Sequence, residues 1–226
     1  MKAYYSLLSQ PEGADSISQF NHPGTTFGNF SDFSYWDALI DSRIFLVEVG
    51  NGEGAIGAGG YYPSYEQYTL ALDKGWHVAP TNNQDNHKGR WGNANDARDV
   101  ILTDDFSEQG LYQAIRDLRV YSTEDKNLEL YYTVNGLPLG SVIEEAPEAL
   151  ELNVQVSDPD ASDSISKVEV IVNSGKVASR PGTIPPSWPP GSLPAPWSLP
   201  TATITSASPR ATATWPSRLP YGWARP

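Results

Sequence analysis

Along the first half of the chain, apolar runs of strand length alternate with stretches of helical spacing. Ile44-Phe45-Leu46-Val47-Glu48-Val49 is nearly unbroken, as expected of a strand buried on both faces, and Glu48 precedes Gly50-Asn51-Gly52. Ile17 to Phe20 is a shorter run, and Tyr4 to Leu8 another short apolar group. Pro23 and Gly24 stop regular structure, so His22 falls at a strand end or a loop start. The aromatic-rich stretch that follows (Phe27, Phe30, Phe33, Tyr35, Trp36) predicts a helix over about Asp32 to Ile40. Pro63 suits the first turn of a second helix running to about Asp73, with Gly75 as its stop. Trp76 to Ala79 then opens a strand that passes into a polar, turn-forming run ending in Asp85-Asn86-His87.

Further on, Val100-Ile101-Leu102 predicts a strand, and Leu111, Ile115 and Leu118 place a helix over Ser107 to Leu118. The pattern then turns to β. Leu128 to Val134 leads through the turn signal Asn135-Gly136 to a second segment ending at Ile143. Leu150 to Val156 and Val168 to Val172 alternate like strands of a β-sandwich module. The acidic loop between them, Asp158 to Asp163, lacks the spacing of an EF-hand and reads as a solvated turn. Strand–helix–strand order with polar strand ends is the rhythm of a parallel α/β fold, in which sites gather at the carboxyl ends of strands. His22, Glu48 and the Asp85/His87 pair all fall at such ends.

Composition divides the chain. Residues 176–226 hold 12 of the 19 prolines, 4 of the 7 tryptophans, 5 of the 15 basic residues and no acid. This Pro/Ser/Thr/Trp-rich tail predicts no packed structure. Arg210 to Trp223 can also be back-translated with permitted codons so that a neighbouring frame encodes QGDGDLAVTAPVWVG, a strand-like peptide. On that reading the tail is out-of-frame translation, and the gene sequence tests it. The expected organisation is therefore 1–145, an α/β unit; 146–175, the start of a β-sandwich-like module; and 176–226, an unstructured tail.

The net charge of −12 argues against nucleic-acid or anionic-membrane partners, which need clustered Lys and Arg. No apolar run is long enough to span a bilayer, so no membrane insertion is expected. The amino-terminal residues lack the apolar core of a signal peptide. With no cysteine, a transition-metal site must be built from His, Asp and Glu. In an extended segment residues two apart point to one side, so Asp85 and His87 can offer an oxygen and a nitrogen to one zinc, manganese or iron ion. The glycine-rich residues 52–60 lack Gly-Lys-Ser/Thr and GxGxxG context, and read as a flexible loop.

Each candidate has a plainer reading beside it. His22 can be a turn histidine bonded to backbone; Glu48, a buried acid held by a loop amide or by Arg43; His77, a packed or surface histidine. Lys88, Arg90 and Arg98 can meet an anionic substrate or be solvated surface charge.

Phe20-Asn21-His22-Pro23-Gly24, Leu46-Val47-Glu48-Val49-Gly50-Asn51-Gly52 and Gln84-Asp85-Asn86-His87 resemble, in order and spacing, successive motifs of the PHP (polymerase and histidinol phosphatase) superfamily. More narrowly they are similar to its CehA/McbA branch of metallohydrolases, as are Arg119 to Asp125 and the later Val134-Asn135-Gly136. The resemblance covers about residues 1 to 145 and implies a distorted (β/α)₇ barrel with two or three divalent metal ions (Zn, Mn or Fe) at the strand ends. It implies His22, Asp85 and His87 as metal ligands and Glu48 as a motif acid, the candidate catalytic residue, either a ligand or the support of one. The His-x-His that opens the family's domain has no counterpart here, so the resemblance is to the carboxyl-terminal half, an incomplete barrel. The activity implied is hydrolysis of a small-molecule phosphoester, or of an amide or carbamate, by metal-activated water. The alternative is a non-catalytic binding or surface-associated module of a longer protein. The sandwich-like module points toward an extracellular or cell-surface setting.

Overall fold

The computed structural model describes residues 1–143, 151–161, 165, 168–172, 176–177, 191–192, 202–206 and 211–214. Its first sheet has three parallel strands, β1 (Ser18–Phe20), β2 (Ile44–Asn51) and β4 (Ala79–Asn83), with β2 in the middle. A two-residue strand, β3 (Tyr62–Pro63), pairs antiparallel with the carboxyl end of β2. After α1 (Lys2–Leu8), the helices α2 (Ala38–Asp41) and α3 (Tyr65–Asp73) carry the chain back between the parallel strands. The strand–helix rhythm read from the sequence is present here. Ile44, Val47 and Val49 are fully buried, as a central strand requires.

An aromatic cluster packs on this sheet. Phe20 lies edge-on to Trp76 at 5.0 Å and to Phe33 at 5.1 Å, and the Trp76 indole N–H donates to the Phe33 carbonyl at 2.9 Å. Edge-to-face rings match the positive edge of one to the negative face of the next. Burying a side chain such as Phe20 contributes about 1.5–3 kcal/mol.

The helix expected over Asp32 to Ile40 is much shorter, Ala38–Asp41. Phe30, Ser31, Asp32 and Phe33 all have φ between 51° and 56°, a left-handed turn that no right-handed helix can include. That turn carries Phe33 under Phe20. The helix starts only where the Asp37 carboxylate accepts from the Leu39 and Ile40 N–H groups. The second expected helix begins at Tyr65 rather than Pro63, because Pro63 is taken into β3; Gly75, at φ +94°, ends it as foreseen.

Beyond β4 the parallel order stops. β5 (Arg98–Ile101), α4 (Glu108–Arg116) and β6 (Val120–Thr123) follow, with β5 and β6 antiparallel. β7 (Glu129–Val134) and β8 (Leu137–Pro138) form a hairpin around Asn135 and Gly136, both at positive φ as a primed turn demands, but the second strand has two residues rather than the segment expected to reach Ile143. β9 (Leu152–Ser157) pairs with β7 over six positions, so the line drawn near residue 145 falls between two paired strands.

β10 (Val168–Val172) pairs with β11 (Lys176–Val177) and β13 (Ala202–Ser206); β12 (Gly191–Ser192) pairs with β9; and β14 (Ala211–Thr214) lies between β13 and β6. Leu130, Tyr132, Leu152, Val168 and Val170 share one core with Tyr121, so strands of two antiparallel sheets face each other there. The tail was expected to hold no packed structure, whereas backbone pairing places β11 to β14 in sheets. The rest of the tail, and the Asp163 end of the acidic loop, lie outside the described residues.

The protein is thus a mixed α/β chain with several sheets, and no sheet of the described residues closes into a barrel. Among those residues no helix is long and apolar enough to cross a membrane.

Candidate site at the strand ends

The carboxyl ends of β1, β2 and β4 lie side by side, and the polar residues there interlock. Glu48, on β2, is 2 % exposed. It accepts from Asn83 Nδ2 at 2.6 Å, from Asn51 Nδ2 at 3.2 and 3.3 Å, and from the backbone N–H of His22. His22 reaches this position through a φ of +37°, a rare conformation for a non-glycine residue, and its ring packs on Phe27 at 4.6 Å. Arg43 instead donates to the Gln10 carbonyl, so the partners of Glu48 are amides. Burial raises the Glu48 pKa; the Asn83, His22 and Asn51 donors pull it back without cancelling the rise.

A second carboxylate stands close by. Asp99 accepts the Asn82 backbone N–H at 2.5 Å. It is open to solvent on one side but closely ringed by protein, and burial pushes its pKa up to about 6 against the Asn82 bond, with the Glu48 charge adding to the rise. The two acids therefore share one direction of shift, set in each by burial.

Asn82 links this pair to a cavity of about 710 Å³. Its Nδ2 donates to the Tyr61 hydroxyl at 2.9 Å, and Tyr61 donates to Glu124 Oε1 at 2.6 Å. Tyr65 donates to the same oxygen. Burial and the Glu124 charge raise both phenol pKa values, so both hydroxyls stay protonated and act as donors. Tyr61, Tyr65, Asp96 and Glu124 line the cavity; His22, Glu48, Asp85 and His87 do not.

Asp85 and His87 form the close pair expected of their spacing, with Asp85 Oδ1 3.1 Å from His87 Nε2, and both side chains face solvent at 44 % and 79 % exposed. Lys88 and Arg90 pair with Glu53 of the glycine-rich segment, at 2.5 and 3.5 Å, while Arg98 donates to the Asn95 and Ala97 carbonyls. Asn95 Nδ2 bonds the Gly52 and Gly54 carbonyls, so residues 52–60 are tied to the 84–97 loop.

The chain therefore joins His22 to Glu48, and Asp85 to His87. Among the described residues no group of three or more His, Asp or Glu side chains could hold a metal ion. The donor chemistry present, a surface Asp–His pair and a buried acid already bonded to amides, does not by itself fit the two- or three-ion cluster that the resemblance implies. Sequence reading missed Asn51, Asn83, Asp99 and the Tyr61–Tyr65–Glu124 group. The polar run Thr81-Asn82-Asn83 beside a buried strand was the available signal for the amides.

No family model, no curated protein and no solved structure matches this chain.

Proposed function

We propose that the strand-end residues belong to a metal-dependent hydrolase site of the PHP kind, of which this chain carries part of the ligand set. The reading rests on one observation: the ends of parallel β1 and β2 place His22 on Glu48, while β4 runs on through Asn83 into Asp85 and His87. Asp85 and His87 are the proposed oxygen and nitrogen ligands, with His22 as the third. Glu48 is a positioning residue: its carboxylate fixes the His22 backbone and the Asn83 side chain. A divalent ion held there would supply an acidified water and polarise the scissile bond. The substrate class is a small phosphoester, or an amide or carbamate.

A second reading is a non-catalytic binding or surface-associated module of a longer protein. The full engagement of Glu48 by amide donors favours it, since a brace needs no chemistry. Metal analysis of the purified chain, with a phosphodiester turnover assay, separates the two. Stoichiometric Zn, Mn or Fe lost in His22→Ala and Asp85→Ala supports the hydrolase site; sub-stoichiometric metal, with no effect of either substitution, leaves the module.

A further inference from the structure

A second polar constellation lies at the amino end of the parallel sheet, where β6 of the neighbouring sheet also begins. Asp41 ends α2, His77 precedes β4 and Arg119 precedes β6, so all three lie at amino ends of strands or just before them. Together with Arg116, the last residue of α4, they line a cavity of about 840 Å³. Asp41, 8 % exposed, holds His77 at two points: Oδ1 accepts the His77 backbone N–H at 2.8 Å, and Oδ2 lies 2.6 Å from Nδ1. A carboxylate only accepts, so the Nδ1 proton is committed to it, and in the neutral imidazole Nε2 is the acceptor. Among the described residues, Nε2 has no hydrogen-bond partner.

The two arginines supply donors. Arg119 uses Nη1 on the Pro138 carbonyl at 2.9 Å, on the Leu139 carbonyl and on Ser141 Oγ at 3.1 Å. Arg116 uses Nη2 on the Asp15 carbonyl at 2.8 Å. These bonds anchor each guanidinium and leave further N–H groups without hydrogen bonds to the described residues. Of the cavity's acids, Asp41 is spent on His77, and Asp117 accepts from Gln113 at 2.9 Å. In a chain of net charge −12, this cavity brings two fixed cations and an imidazole acceptor together.

We propose that this cavity is a binding site for a small oxyanion that also carries an O–H, the hydrogen-phosphate group of inorganic phosphate or of a phosphomonoester being the simplest case. The guanidinium N–H groups take the charged oxygens, and His77 Nε2 accepts the ligand's O–H. The site is separate from the strand-end residues discussed above and does not depend on their function.

The test is an NMR titration of the full chain with inorganic phosphate, following the His77 Cε1–H resonance, assigned through His77→Gln. Sodium sulfate at equal ionic strength is the comparison ligand, because sulfate carries no O–H at neutral pH. The expected result is a saturable shift with phosphate, about tenfold weaker binding in Arg116→Gln, and clearly weaker binding of sulfate. Arg116 sits at a helix end on one exposed hydrogen bond, so this variant keeps the fold. A non-saturating shift, or equal affinity in Arg116→Gln, overturns the site and leaves the Asp41–His77 pair as a brace between α2 and β4. Sulfate binding as tightly as phosphate overturns the acceptor role of Nε2 and with it the proposed ligand class.

Discussion

Glu48 on the central strand accepts the backbone N–H of His22, a residue 26 positions earlier at the end of the neighbouring strand. That bond converts the order of the parallel strands into a fixed loop position for the imidazole, and it is made by a carboxylate with almost no access to water.

Removing the acceptor takes a partner from three N–H donors, of which Asn51 Nδ2 is buried and Asn83 Nδ2 keeps only its longer bond to Thr81. Glu48→Ala should therefore destabilise the chain by about 2–4 kcal/mol, and Glu48→Gln, which keeps the shape and one acceptor oxygen, by less. Urea unfolding of the two variants measures both losses. Equal, near-zero losses would contradict a bracing carboxylate.

Asp99 predicts a pH dependence with a definite sign. Its pKa rises from the ordinary 3.8 to about 6 on folding, so the folded state binds the proton more tightly than the unfolded state. Its contribution is fully present below pH 3.8 and is lost as the pH rises through about 6. The stability of the wild type relative to Asp99→Asn should fall across that window and level off above it. Denaturation at a series of pH values gives the difference directly; a flat difference contradicts the raised pKa.

Gly50 leaves room for the hydrogen-bonded group beside it. A Cβ there would lie 2.3 Å from the Tyr61 hydroxyl oxygen and 2.4 Å from Asn82 Oδ1. Gly50→Ala must push both aside, and should cost about 1–3 kcal/mol. It should also displace the Tyr61 hydroxyl from Glu124 and Asn82, lowering one tyrosine ionisation in a spectrophotometric titration while burial, the larger cause of its raised pKa, remains.

The aromatic cluster under the sheet carries the stability of the parallel unit. Phe20→Ala removes a ring packed against Trp76 and Phe33, and a loss of about 3–5 kcal/mol is expected in thermal or chemical unfolding.

These residues also show what sequence reading can and cannot reach. Ile44 to Val49 was legible as a buried strand because its apolar run has no surface face, and Asn135-Gly136 as a hairpin because both residues tolerate positive φ. The helix over Asp32 to Ile40 misled because aromatic spacing at 30, 33 and 36 mimics a helical face, whereas a left-handed turn can present Phe33 equally well. The continuation of parallel strands beyond β4 could not be read, since strand direction is set by tertiary pairing. Asp85 and His87 were found together because their contact is local. Asn51, Asn83 and Asp99 were missed because their roles arise only when three strand ends meet, and nothing in a lone Asn or Asp marks such a role.

The proposed site requires a divalent ion to draw His22, Asp85 and His87 together, since these side chains do not form one group in this structure. Calorimetric titration of the full chain with zinc, repeated on His22→Ala and Asp85→Ala, tests it most directly. Saturable binding of about one ion per chain is expected, weakened by at least about tenfold in each variant. Zinc binding that is absent, or that is the same in the wild type and both variants, contradicts it.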